Sequence, residues 1–321
     1  MSEKHSYYQG FINALQQKIP QKASLVNTIA DLLAIDKDAV YRRLRGEVNF
    51  SFIEIASIAI KLGMSLDNIV GISTLEQKPM QITLAKHINP VDADYKMFGN
   101  FIYLLNYIKD NPDTLLLESG NILPLTIYYD YDYFTRLNMF CWYLGNNDGT
   151  DLPFHQVTIP EPMREMQKQV SALTRQIKTA RYVWDHMIFQ RIVNNVKVFA
   201  QLRLIKEEDV LLIKNELLEI VDYIERLAIT GRYEDTGNEV FIYISDILFE
   251  TSYSTLKSQN TYLSQFKTFL LNANSSLDED VYHSVSNWIL ALQRKATLIS
   301  VSGEKVRTAF FNTQREILNT L

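Results

Sequence analysis

The first seventy residues carry apolar side chains at three- and four-residue intervals, interrupted at Pro20, at residues 34–38 and at Gly46. That spacing lines the apolar groups along one stripe of each of several short helices, and short helices are stable only when such stripes bury one another. Tyr8, Phe11, Ile12, Leu15 and Ile19 define a first helix, which Pro20 stops. Ser24 is placed to cap a second, with Ile29, Leu32 and Leu33 on its apolar side and the small Ala30 allowing close approach. Asp36 and Asp38 suit the start of a third, where carboxylates meet unpaired backbone N–H groups. Val40 and Leu44, four apart, share its buried side, and Gly46 suits its closing turn. Ser51-Phe-Ile-Glu54 reads as a capping box opening a fourth helix, with Phe52, Ile55, Ala56, Ala59 and Ile60 inward and Gly63 at its end. Ser65 begins a fifth short turn carrying Leu66, Ile69 and Val70.

The side of the third helix opposite Val40 and Leu44 carries Lys37, Asp38, Tyr41, Arg42 and Arg45. Tyr41 and Arg45 are four apart and Arg42 and Arg45 three, so they project together. A helix fits the DNA major groove, arginine forks pair with guanine edges, and lysines and serines hold phosphates. Lys22 and Ser24, at the start of the second helix, are reasonable phosphate contacts. The competing reading is a solvated basic face on a helical bundle.

Ala30, Ala34, Ile35, Val40 and Gly46, followed by Ile-Ala-Ile-Lys-Leu-Gly-Met-Ser-Leu-Asp-Asn-Ile over 58–69, carry a resemblance. They resemble the five-helix, lambda-repressor-like (XRE-type) helix-turn-helix domain, and residues 39–47 resemble the helix-turn-helix of BetR-like bacterial regulators. The chain departs from the pattern at Ala34, where Gly is usual, at Arg43, where an apolar residue is common, and at Val26, where a polar residue is usual. The resemblance implies a sequence-specific transcription regulator with Lys37, Asp38, Tyr41 and Arg42 nearest the bases, and Arg43 and Arg45 within reach of base or backbone. Double-stranded DNA and a second copy of the chain, as a homodimer, are the partners it implies.

Bulk charge decides little. The net charge is −5, yet the first 75 residues hold 8 Lys+Arg against 7 Asp+Glu, so the acidic excess belongs to the remainder. Three of those basic residues, Arg42, Arg43 and Arg45, fall within four positions, and a net-acidic chain can bind nucleic acid through one basic face. A lone cysteine excludes a disulfide scaffold, no apolar run is long enough to span a membrane, and the first residues lack the order of a signal peptide. The expectation is a cytoplasmic protein with no membrane partner.

The sequence predicts a helix-turn-helix domain over 1–72, a linker over 73–91 with a short extended piece at 81–85, and a mainly helical domain over 92–321 for dimerisation or for sensing a small-molecule or protein effector. The expected fold class is mostly α, with the five-helix domain followed by a larger helical domain containing a small antiparallel β-sheet. Residues 160–199 read as one long periodic run, one helix or two. The β-branched and aromatic stretch from Val240 reads as one or two strands, with a turn at 258–260 to a third. The aromatic residues between Tyr128 and Tyr143 read as core or dimer interface rather than as a ligand pocket. Enzyme chemistry is not expected. There is no P-loop, dinucleotide fingerprint or Gly-x-Ser-x-Gly elbow, and the five histidines have no metal-ligand spacing. Cys141 sits between Phe140 and Trp142, which suggests burial; Asp130 and Asp132 could pair for acid–base work but read as easily as a solvated edge; and Glu207-Glu208-Asp209 reads as a helix start rather than a metal site. No cofactor or metal is implied. Two alternatives remain beside the regulator: a protein-interaction module docking a partner through Tyr41, Leu44 and the arginines, and an enzyme regulated in cis.

Overall fold

Among the described residues, the first stretch forms α1 (Glu3–Lys18), α2 (Lys22–Leu33), α3 (Lys37–Leu44) and α4 (Phe52–Leu62). They come from a computed structural model that describes residues 3–62, 64, 66, 69, 78, 80–86, 88–146, 152–268 and 271–321. The chain divides into two units, Met1–Met80 and Gln81–Leu321.

In the first unit, Phe11, Ile12 and Leu15 of α1 meet Leu25, Val26 and Ile29 of α2, Val40 of α3 and Ile58 of α4 in one buried cluster. The apolar Val26 is thus a core residue. Ser51 and Glu54 form the expected capping box: Ser51 Oγ accepts the Glu54 N–H at 3.3 Å, and Glu54 Oε2 accepts the Ser51 N–H at 2.7 Å. Two local expectations change. The residue capping α2 is Gln21, and Ser24 is the third residue of the helix and half-buried. On α4 the buried line runs through Ile55, Ile58, Ala59 and Leu62, leaving Phe52 and Ile60 exposed. Eight of the eleven residues of α4 are Ile, Leu, Phe or Ala at positions all round the helix, so periodicity alone does not select its face. Leu66 and Ile69 pack on the same core, while Gly63, Ser65 and Val70 lie outside the described residues.

The second unit is built on an eight-stranded mixed sheet, which overturns the mostly-α class and the small antiparallel sheet expected for it. Its elements are β1 (Gln81–Thr83), α5 (Asp92–Ile108), β2 (Leu115–Gly120), α6 (Leu125–Tyr128), α7 (Asp132–Asn146), α8 (Glu161–Thr174), β3 (Thr179–Asp185), α9 (Ile188–Gln201), α10 (Glu207–Thr230), β4 (Glu239–Ser245), β5 (Tyr253–Ser258), β6 (Thr261–Thr268), β7 (Asn272–Ser276), α11 (Glu279–Gln293), β8 (Thr297–Leu298) and α12 (Glu304–Leu318). The strands lie in the order β1-β7-β6-β5-β2-β3-β4-β8. β2, β3 and β4 are parallel neighbours joined by helical crossovers, and the remaining pairings are antiparallel. β1 falls within the stretch read as a linker and pairs with β7, Ile82 opposite Asn274.

Helices cover both faces of the sheet. Leu116, Ala180, Tyr182, Trp184, Val240 and Ile242 point into a large core shared with α5, α7, α8, α9, α10 and α12. Leu117 and Val183 point to the other face, where Val285, Ile289 and Leu292 of α11 cover them. β2 and β3 were missed because both their faces are buried, so neither shows a clean alternation of apolar and polar residues. The long run over 160–199 is accordingly helix, strand and helix: α8, β3 and α9. Among the described residues no helix is long and apolar enough to cross a membrane.

Candidate nucleic-acid interface

A three-residue turn joins α2 to α3. Ala34 takes a left-handed conformation (φ 51°) and both its N–H and that of Ile35 turn back to the Ala30 carbonyl. A side chain at that φ is crowded, which is why Gly is the usual residue there. Asp36 stands at the N-cap of α3 in extended backbone but makes no side-chain cap bond. Val40 is fully buried, and Leu44 and Tyr41 pack against the edge of the same core.

The sequence-predicted residues then separate into three groups. Lys37 and Asp38, in the first turn of α3, are exposed. Tyr41 is half-buried, and Lys22 of α2 holds its ammonium 5.8 Å from the Tyr41 ring centre, so the start of α2 and the middle of α3 meet here. Arg42 and Arg45 keep 59% and 55% of their side-chain surface open to solvent. Lys22, Lys37, Arg42 and Arg45 therefore remain available to a polyanion, with Ser24 half-buried behind them.

Arg43 is different. Its guanidinium donates to Glu54 Oε1 at 2.9 Å and lies 5.8 Å from the Phe50 ring centre, and only 19% of its side chain is exposed. Its carbonyl accepts the Tyr8 hydroxyl at 2.8 Å, and Tyr8 in turn accepts the Phe50 N–H at 3.2 Å. Burial opposes ionisation of Glu54, but the Ser51 N–H and the Arg43 guanidinium outweigh it and hold the carboxyl below its ordinary value. Burial also pushes the Tyr8 hydroxyl up. Arg43 thus ties α3 to α4, and its side chain does not join Arg42 and Arg45 on the outer face. The signal was present in the sequence: Arg43 follows Val40 by three, on the flank that turns inward.

Sequence reasoning missed Glu47. Gly46 (φ +76°) reverses the chain after α3, and Glu47 comes back beside two arginines. Its Oε1 accepts from Arg45 Nε at 2.6 Å, and its Oε2 lies 3.7 Å from Arg42 Nε. The hydrogen bond from Arg45 holds the Glu47 carboxyl below its ordinary value and raises Arg45.

The second unit has exposed arginine–carboxylate pairs too, Arg226 with Glu234 and Arg232 with Glu239, while its other candidate residues are engaged in the fold. Asp185, at the carboxyl end of β3, is wholly buried and accepts the N–H groups of Met187 (2.7 Å) and Phe249 (3.1 Å) while pairing with Arg191 at 2.9 Å. Those bonds fasten a loop to the sheet. Asp130 pairs with Arg175 and Asp132 with Arg164, so the two carboxylates are engaged separately. Burial pushes the Cys141 thiol up to about 12, far from a nucleophile's range. Tyr128, Tyr129, Phe134 and Phe140 are core residues. Glu207, Glu208 and Asp209 occupy the first turn of α10, and no group of three His, Cys, Asp or Glu side chains suited to a metal occurs among the described residues.

In comparisons with known proteins, no family model, no curated protein and no solved structure matches this chain.

Proposed function

We propose that this chain is a DNA-binding transcription regulator of the cytoplasm. Its α3 would lie in the major groove, and the Gln81–Leu321 unit would dimerise the protein or sense a small-molecule or protein signal. The observation that carries this reading is the division of α3 into two sides. Val40 is fully buried, whereas Arg42 and Arg45 are more than half exposed beside Lys37 and near Lys22. Arg42 and Arg45 supply base-reading forks, and Lys22 and Lys37 supply phosphate contacts. Asp38 can accept from a cytosine amino group. A dimer would place two such helices on half-sites one DNA turn apart, raising affinity through effective concentration.

Selection of bound sequences from random duplex DNA with the full chain tests the proposal. The expected result is an enriched two-fold symmetric motif, bound with a log affinity that falls linearly against log salt. A folded protein that enriches nothing contradicts it. That outcome would favour a protein-docking module, for which Phe52, Ile53 and Ile60, exposed together on α4, supply an apolar surface.

A further inference from the structure

The arginines of α3 are not independent of each other. At the end of the helix the Gly46 N–H bonds to the Arg43 carbonyl at 3.0 Å and the Glu47 N–H to the Arg42 carbonyl at 3.0 Å. This pair of bonds is a Schellman turn, which requires the left-handed residue that Gly46 provides. It fixes the backbone of Glu47 against the last turn of α3. The carboxylate is thereby carried back to the two guanidinium groups, one oxygen toward each: Oε1 toward Arg45 Nε and Oε2 toward Arg42 Nε.

We propose that Glu47 is a positioning residue that determines sequence specificity, hydrogen-bonded to Arg45 Nε and paired through charge with Arg42 Nε at 3.7 Å, so that the Nη1/Nη2 edges of the two arginines meet adjacent bases. This rests on the DNA-binding reading above. A guanidinium has more than one donor edge, and the edge toward Nε is the one Glu47 engages, which leaves the terminal pair for the O6 and N7 of guanine. Long exposed arginines lose much side-chain freedom when they bind, and a partner that orders them beforehand lowers that cost. The hydrogen bond orders Arg45, and the shared carboxylate draws Arg42 toward it through charge. The same negative charge repels phosphates, so it weakens binding to every sequence while sharpening discrimination among them.

The opposing possibility is a carboxylate that merely screens the arginines, and the two roles differ in sign. In full-length Glu47→Gln the charge is lost and the size kept. Binding is read on two probes: the duplex recovered by selection, and the same duplex with its guanines replaced. The expected result is equal or tighter binding to the replaced duplex, with the ratio of the two affinities falling by about five-fold or more. Without DNA, the Nε–H resonance of Arg45 should be sharp and protected in the wild type and lose that protection in the variant. An unchanged ratio, with both affinities raised equally or not at all, overturns the proposal. So does an Arg45 Nε–H signal that ignores the substitution. A wild-type protein that prefers no duplex fails at the DNA-binding reading itself, whatever the Nε–H signal shows.

Discussion

In the N-terminal unit, Arg42, Arg45 and Glu47 meet at the rim of a small bundle with about half of each side chain in water, whereas in the second unit Glu118 and Asp185 lie inside the sheet. The contrast separates two uses of charge. Rim charges exchange partners at little cost, which suits the polyanion contact proposed for them. Buried charges are costly unless satisfied, so they belong to the fold. Asp185 is satisfied, with two backbone N–H donors and Arg191. Glu118 is not held in that way. Burial pushes its carboxyl up to about 7 against the opposing pull of Lys267, and Tyr128, Tyr182 and Tyr233 also face it. Arg43 marks the border between the two uses. It is an arginine of α3 that the bundle has taken into its own structure.

The largest expected effect that sharpens this contrast is the response of the second unit to pH. The folded Glu118 carboxyl titrates near 7, above its unfolded value, so the protonated form is the one the fold favours. Its contribution is fully present below the unfolded carboxyl range and is lost as pH rises through about 7. The wild type should therefore lose stability relative to Glu118→Gln between about pH 4.5 and pH 8, by on the order of 3 kcal/mol. Urea denaturation at both pH values checks this, and a pH-independent difference between the two proteins contradicts it.

A smaller effect belongs to the first unit, where the strain is in the backbone. Ala34 occupies the left-handed region at φ 51°. Ala34→Gly relieves that crowding while adding freedom to the unfolded chain, for a net gain of about 0.5–1 kcal/mol. Thermal unfolding of the full chain measures it, and a loss of stability would mean that the turn carries no strain.

The same contrast explains what could be read from the sequence. Elements with one wet side were legible. Val40 against the arginines, the Ser51–Glu54 capping box and the strands beyond Val240 all announced themselves by spacing or texture. The two central strands β2 and β3 were not. Leu115–Gly120 and Thr179–Asp185 mix apolar and polar residues without a clean alternation, and their pairing partners are distant in the chain. At the candidate interface, Arg42 and Arg45 were placed correctly on the exposed side of α3, while the Arg43–Glu54 pair needed knowledge of how α4 packs. Glu47 depended on a single reversal at Gly46, which spacing along a helix does not encode.

The most direct test sets Arg42→Ala against Arg43→Ala on the duplex recovered by selection, with affinity expressed per folded molecule. Arg42→Ala should weaken specific binding by about 1–3 kcal/mol and leave stability nearly unchanged. Arg43→Ala should do the reverse, lowering stability by about 1–2 kcal/mol through the stranded Glu54 carboxylate while binding per folded molecule holds. Equal losses of binding in the two variants, or a loss confined to Arg43→Ala, would contradict the assignment of α3's outer face as the surface that reads DNA.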